Sequence, residues 1–181
     1  MSTPTPRDQE EYRALRATIR ERGTARICLV AVGFVAWAGL AIATAAVGST
    51  PVATLVPLLA LAAVFEAVYA LHIGVERIGR YVQVFHESGE PGAPGWEHAA
   101  IAFDRPTHAA TLDALFPVPF LLAAVCNMTP ALILQPTTQE LVFVGGAHAL
   151  FAVRIVAARA VAARQRTVDL QRFEDLRRGV L

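Results

Sequence analysis

Lysine is absent from the chain, and all 16 basic residues are arginines. Enzymes that form a Schiff base on a lysine, and phosphate-binding loops that end in one, are therefore excluded. The two cysteines, Cys28 and Cys126, are too few for a disulfide framework and are not spaced as a redox or zinc pair. Charged residues make up 17% of the chain against 55% apolar residues, which is too few for an ordinary soluble domain.

The apolar residues are concentrated in four runs of about 20 residues, the length that an α-helix needs to cross roughly 30 Å of hydrocarbon. Helix-start signals occupy both short links, with Pro51 at a first helical position and Thr137 and Glu140 at capping-box spacing. The sequence therefore predicts an all-α integral membrane protein with four transmembrane helices in two antiparallel hairpins. The four runs are residues 27–48, 52–75, 111–135 and 141–163.

The arginines also predict an orientation, because the cytoplasmic flanks of membrane spans retain positive charge. They precede the first run, occur in the long middle connection and follow the last run, whereas neither short link has one. We therefore expect both termini and the connection to lie on the cytoplasmic side of a bacterial inner membrane, with the second helix extending past the membrane. The expected organisation is an amphipathic segment 1–26, a transmembrane domain 27–163 that includes the cytoplasmic connection 76–110, and a C-terminal helix 164–181.

Ionisable residues inside a membrane span are costly, so they should face the bundle interior and be paired. Glu66 and Arg154 fall at the same depth, roughly 21 Å from the outer ends of their runs. They are predicted to form an ion pair, and a structural role and a role in proton, ion or ligand handling both remain open. Asn127 and His148 share a shallower level and are predicted to form a hydrogen bond. A haem on His148 would need a second axial ligand at similar depth, which the spans do not offer.

A candidate polar pocket lies at the cytoplasmic ends of the spans, where His72, Glu76, Asp113 and Arg159 fall near one level. His72 and Glu76 are four residues apart and so share a helix face. With Asp113 they would form a set of one histidine and two carboxylates that suits iron, manganese or zinc. The Glu-x-x-His spacing of four-helix di-iron proteins is absent. A metal site and a solvated charge network both remain open, and no particular cofactor is expected.

Small and helix-breaking residues complete the packing predictions. Pro117 and Pro119 are expected to kink the third helix, because each removes a backbone N–H from the helical hydrogen bonds. Four glycines within the spans are expected to allow close contact between helices of one chain. They are Gly33, Gly39, Gly145 and Gly146.

The function that these features favour is that of a non-catalytic integral subunit or accessory protein of a bacterial inner-membrane complex. Its expected partners are membrane lipid and other membrane-protein subunits or a second copy. Nucleic acid is not expected, because acidic residues interleave with the arginines of the tail. Two alternatives remain open: a membrane enzyme or carrier that uses the pocket around His72, and a proton or ion pathway through Glu66.

Overall fold

A computed structural model describes residues 5–48, 50–87, 95, 96, 99 and 116–180. Among these residues there is no strand, and the prediction of an all-α protein is confirmed. A 3-10 turn, Pro51–Thr54, leads into the second helix. The bounds of four α-helices are described, which are α1 (Pro6–Val47), α2 (Leu55–Phe85), α3 (Pro117–Ile133) and α4 (Thr138–Arg178).

Three of the helices, α1, α2 and α4, are long and apolar enough to cross a membrane. The described α3 is a shorter apolar helix of 17 residues, which corresponds to about 25 Å. Its beginning differs from the prediction. Phe116 adopts a left-handed conformation with φ 51° as the N-cap, and Pro117 follows at the first helical position, where its missing N–H is harmless. Pro117 and Pro119 therefore lie in the first turn of the described helix instead of kinking its interior, and residues 111–115 lie outside the described part of the chain.

The two longest helices begin with the same kind of capping box. The Thr137 N–H donates to Glu140 Oε2 at 2.9 Å, and the Glu140 N–H donates to Thr137 Oγ1 at 3.3 Å, which confirms the predicted box. At the start of α1, the Thr5 N–H and hydroxyl donate to Asp8 Oδ2 at 2.9 and 2.7 Å. These hydrogen bonds, that of the hydroxyl first, lower the pKa of Asp8. Both boxes satisfy backbone N–H groups that a helix start leaves without a partner.

Neither long helix is interrupted at the boundaries expected near residues 26 and 163. The amphipathic residues 6–26 continue directly into the apolar part of α1, and α4 continues to Arg178. That helix ends at Gly179, which has φ 69°, while the Val180 N–H donates to Asp175 O at 3.1 Å. Glycine suits this position because it has no Cβ to clash in a left-handed conformation.

The chain divides into two compact units. The charged unit consists of the described residues of Met1–Ala25, Leu71–Leu112 and Val161–Leu181. The apolar unit consists of those of Arg26–Ala70 and Asp113–Ala160. By sequence, all arginines except Arg26, Arg154 and Arg159 belong to the charged unit. Helices α1, α2 and α4 thus each contribute one segment to the charged unit and another to the apolar unit.

A chain of aromatic rings runs through the core of the apolar unit. The ring centroids of Phe34 and Phe120 are 5.1 Å apart, those of Phe120 and Phe65 are 5.2 Å apart, and those of Phe65 and Phe151 are 6.1 Å apart. All three contacts are edge-to-face, the arrangement that aromatic quadrupoles favour. Because the rings come from α1, α3, α2 and α4, this chain of contacts links all four described helices.

One glycine brings two helices of the apolar unit close together. Gly33 of α1 is buried, and a Cβ at this position would lie 2.5 Å from Val64 Cγ1 of α2. The predicted close contact is therefore confirmed at Gly33. It is wrong for Gly39 and Gly146, where an added Cβ would lie within 4 Å of no described atom outside the neighbouring backbone of its own helix. At Gly145 an added Cβ would make only an ordinary contact, 3.9 Å from Met128 Cε.

Candidate functional site

Asn127 of α3 is buried at a junction of the apolar unit. Its Nδ2 group donates to Thr54 O at 2.8 Å and lies 3.1 Å from His148 Nε2. Its Oδ1 atom accepts a hydrogen bond from Trp37 Nε1 at 3.3 Å. The side chain therefore joins α3 to α1, to α4 and to the 3-10 turn that precedes α2. We call these four residues, Trp37, Thr54, Asn127 and His148, the asparagine node.

The hydrogen bonds of the asparagine node define which nitrogen of the His148 ring donates and which accepts. Nδ1 lies 2.8 Å from Val144 O, a carbonyl that can only accept, so Nδ1 carries the hydrogen and donates it. Nε2 is then the acceptor for Asn127, whose amide hydrogens are shared between His148 and Thr54. Both ring nitrogens of His148 are thus engaged within the apolar unit.

The structure brings Asn127 and His148 together as the sequence predicted, but the sequence analysis missed Trp37 and Thr54. Trp37 had a detectable signal, since a tryptophan within a span needs a partner for its indole N–H. Thr54 had none, because it contributes a backbone carbonyl whose position depends on the 3-10 turn.

Glu66 and Arg154 are also in contact. Arg154 Nη2 donates to Glu66 Oε2 at 2.7 Å, and the guanidinium lies 4.8 Å from the centroid of the Tyr69 ring. The expectation that the pair faces the interior is wrong, because the side chains of Arg154 and Glu66 are 38% and 48% exposed. The core-facing positions of this turn of α2 are taken by Phe65 and Val68, which are fully buried. A residue next to Phe65 is rotated by about 100° around the helix, which turns Glu66 outward.

The described residues of the candidate metal pocket belong to both units. His72 is buried, and Glu76 forms ion pairs with Arg80 and Arg166 at 3.1 and 2.9 Å. All four of these residues belong to the charged unit, whereas Arg159 belongs to the apolar unit. Asp113, the second predicted carboxylate ligand, lies outside the described residues. The residues that the structure describes contain no group of three His, Cys, Asp or Glu side chains able to hold a metal, and the pocket stays a prediction.

Ion pairs connect α2 with α4 within the charged unit. Arg166 contacts Glu76, and Arg77 Nε donates to Asp169 Oδ2 at 3.3 Å. Gln165 Nε2 donates to the other oxygen of the buried Asp169 carboxylate at 2.8 Å. These contacts hold the polar parts of the two helices side by side.

The charged unit also contains an aromatic cluster. The Tyr81 ring is 4.7 Å from that of Phe85 and 5.7 Å from that of Phe173, measured between centroids. His86 lies 5.9 Å from Tyr81. The Tyr81 hydroxyl donates to Glu11 Oε1 at 2.8 Å, and this bond, together with burial and the charge of Glu11, raises the pKa of Tyr81.

The apolar unit also contains a cavity of about 250 Å³. Three threonines line it, and the hydroxyl groups of two of them, Thr44 and Thr54, donate to the carbonyls of Leu40 and Pro51, each at 2.8 Å. The cavity thus presents mainly apolar walls. Its other lining residues include Gly48, Ala53, Pro130 and Leu134.

No family model, no curated protein and no solved structure matches the chain. The contacts of its own residues are therefore the basis for inferring what it does.

Proposed function

We propose that this protein is a non-catalytic integral subunit or accessory protein of a complex in a bacterial inner membrane. The four helices would each cross the membrane, and both termini would be cytoplasmic. Three helices with sufficient length and apolar character support the membrane location. The concentration of arginine in the charged unit supports the orientation. A lysine-free, alanine-rich composition supports the bacterial origin.

The observation that carries the proposal is that the polar side-chain atoms of Asn127 and His148 are all engaged within the protein. Both ring nitrogens of His148 and both polar atoms of the Asn127 amide have partners within the protein. A catalytic site needs a donor, an acceptor or a nucleophile directed at a substrate. The node instead satisfies buried polar groups and holds the helices in register, which supports a structural role.

The charged unit supports a role in assembly. Glu76 and Asp169 form ion pairs that join α2 to α4. These ion pairs hold the two helices of this unit in a fixed arrangement. Phe85 belongs to its aromatic cluster yet is 41% exposed. A half-exposed aromatic ring is typical of a protein contact surface.

The test is extraction of the tagged chain from its native membrane with a mild detergent, followed by mass spectrometry of the intact complex. We expect a mass that is not a whole multiple of the 19.4 kDa chain, because the complex includes a second protein in fixed stoichiometry. Phe85→Ser should release that protein and leave the chain in the membrane. Val35→Ala, at a position that is 74% exposed in the apolar unit, is the matched control and should leave the complex intact.

Two results would contradict the proposal. One is a membrane-integrated chain that is found alone or only with further copies of itself. The other is a transition metal or pigment that co-purifies with the chain and is lost in His72→Ala, because this would favour an enzyme or carrier that uses the predicted pocket.

A further inference from the structure

The Glu66–Arg154 ion pair lies on the outer surface of the apolar unit. About half of the Glu66 side chain and more than a third of that of Arg154 are exposed, although both belong to segments that we place in the membrane. Charges exposed to hydrocarbon are unfavourable, so such residues normally contact protein or water. We therefore expect polar groups from outside this chain to contact the surface around the pair.

The residues around the pair favour close approach of another helix. Ala63, Ala67 and Ala70 are exposed on α2 and are separated from one another by four and three residues, so they share a face with Glu66. On α4, Ala157 is exposed one turn beyond Arg154. Small side chains at such spacing let helix backbones pack closely in membranes.

The exposed surface of the apolar unit elsewhere includes bulky aliphatic side chains that suit contact with lipid. On α1 these include Val35 and Ile42, which are 74% and 71% exposed. Alanines are also exposed on other surfaces, for example Ala43 of α1, and the 71% exposed Leu150 lies one turn before Arg154. The charges of Glu66 and Arg154, rather than the alanines alone, therefore distinguish this surface, because lipid chains cover an ion pair poorly.

We propose that this surface is the contact between two copies of the chain, with Arg154 of each copy facing Glu66 of the other. In a two-fold symmetric interface, if residue i of one copy contacts residue j of the other, then residue j of the first copy also contacts residue i of the second. A two-fold axis beside the pair therefore places each positive charge opposite a negative one. The charges of the two copies then sum to zero. A second copy supplies this complementarity without any other protein. This inference rests on the membrane location in the proposed function, but not on the presence of a different partner protein.

The first experiment is disulfide cross-linking in native membranes, with Cys28→Ser and Cys126→Ala removing the two natural thiols. With mild oxidation, we expect Ala67→Cys to give a covalent dimer of this chain. Val35→Cys, on the exposed face of α1, is the control and should give at least tenfold less. A cross-link from Ala67→Cys to a different protein, or none from Ala63→Cys, Ala67→Cys and Ala70→Cys in turn, would overturn the proposal.

The second experiment uses charge reversal to separate contacts between chains from contacts within one chain. Glu66→Arg gives a chain with two positive charges at this surface, and Arg154→Glu gives one with two negative charges. Each alone should dimerise at least tenfold less than the wild type. Co-expressed with different tags, they should recover a mixed dimer. Since neither chain retains its internal pair, recovery requires contact between chains, and absence of the mixed dimer from membranes that hold both chains counts against the proposal.

A carbonate wash of the membranes separates failure of this inference from failure of the proposed function. A chain that the wash releases is not integral, which contradicts the proposed function. A chain that is retained as a monomer contradicts only the dimer. A retained dimer without a different protein supports the dimer and contradicts the role as a subunit of a larger complex.

Discussion

The charged unit and the apolar unit show how polar residues perform different tasks in segments of the same helices. In the charged unit, several ion pairs and hydrogen bonds together join α2 to α4. In the apolar unit, a single amide at Asn127 connects α3 to three other segments. A group that has water as an alternative partner contributes little when it is paired, whereas a buried group without water is costly to leave unpaired. The two units should therefore differ in their sensitivity to mutation, salt and pH.

The largest effect is expected from Asn127→Ala in the apolar unit. The change leaves Trp37 Nε1, Thr54 O and His148 Nε2 without their partner, and we expect a loss of about 2–4 kcal/mol in the free energy of unfolding. The measurement is denaturation in detergent micelles, followed by tryptophan fluorescence. Cys126→Ala, at the exposed neighbouring position, should change stability by less than about 0.5 kcal/mol. Equal effects of the two substitutions would show that the node does not hold the helices together.

A smaller effect is expected from Gly33→Ala, which tests helix contact in the same unit without changing any charge. The new methyl group would meet Val64 Cγ1 and Cγ2. Because valine is stiff at χ1, the helices must shift, at a cost of about 1–3 kcal/mol. Gly39→Ala, also in α1 but with open space around it, should instead stabilise by up to about 1 kcal/mol through helix propensity. Both variants are compared in the same denaturation assay, and a stabilising Gly33→Ala would be inconsistent with the packing described.

In the charged unit, Asp169→Ala should cost about 1–2 kcal/mol, because it removes a buried carboxylate that binds Arg77 and Gln165. Glu174→Ala breaks the more exposed pair with Arg178 and should cost less than about 0.5 kcal/mol. Amide hydrogen exchange measures the protection of the backbone in each unit separately. Raising the salt to about 1 M, where the Debye length is about 3 Å, should reduce protection in the charged unit and spare the apolar unit. Equal loss of protection in both units would remove the distinction between them.

The smallest effect concerns alkaline pH and Tyr81. Because its pKa is raised in the folded protein, the hydrogen bond to Glu11 adds stability that is present below the ordinary tyrosine pKa of 10.0 and is lost as the pH rises through the higher folded value. Glu11→Gln should bring the titration of Tyr81 back toward the ordinary value. Ultraviolet absorbance of the phenolate measures this in a Tyr12→Phe, Tyr69→Phe background, with Glu10→Gln as the control. An unchanged titration in Glu11→Gln would contradict the hydrogen bond.

Several features could be predicted from the sequence because they depend on distance along a helix. The length of the apolar runs predicted membrane-spanning helices, and the spacing of Thr137 and Glu140 predicted a capping box. Counting along the helices also identified two pairs that the structure brings into contact, Asn127 with His148 and Glu66 with Arg154. In each case the relevant quantity is a number of residues, and a regular rise of 1.5 Å per residue converts it into a position.

Other features were decided only by the tertiary structure, because they depend on how each helix is rotated about its own axis. Rotation of α2 buries Phe65 and Val68 and turns Glu66 outward, although all three lie within one turn. The choice of Gly33 over Gly39 as the close contact has the same origin. Composition and spacing along the chain thus determined the helical class and the position of each polar residue along its helix. The packing of several helices at once decided which side of each helix is covered, since it depends on the shapes of all the neighbouring side chains together.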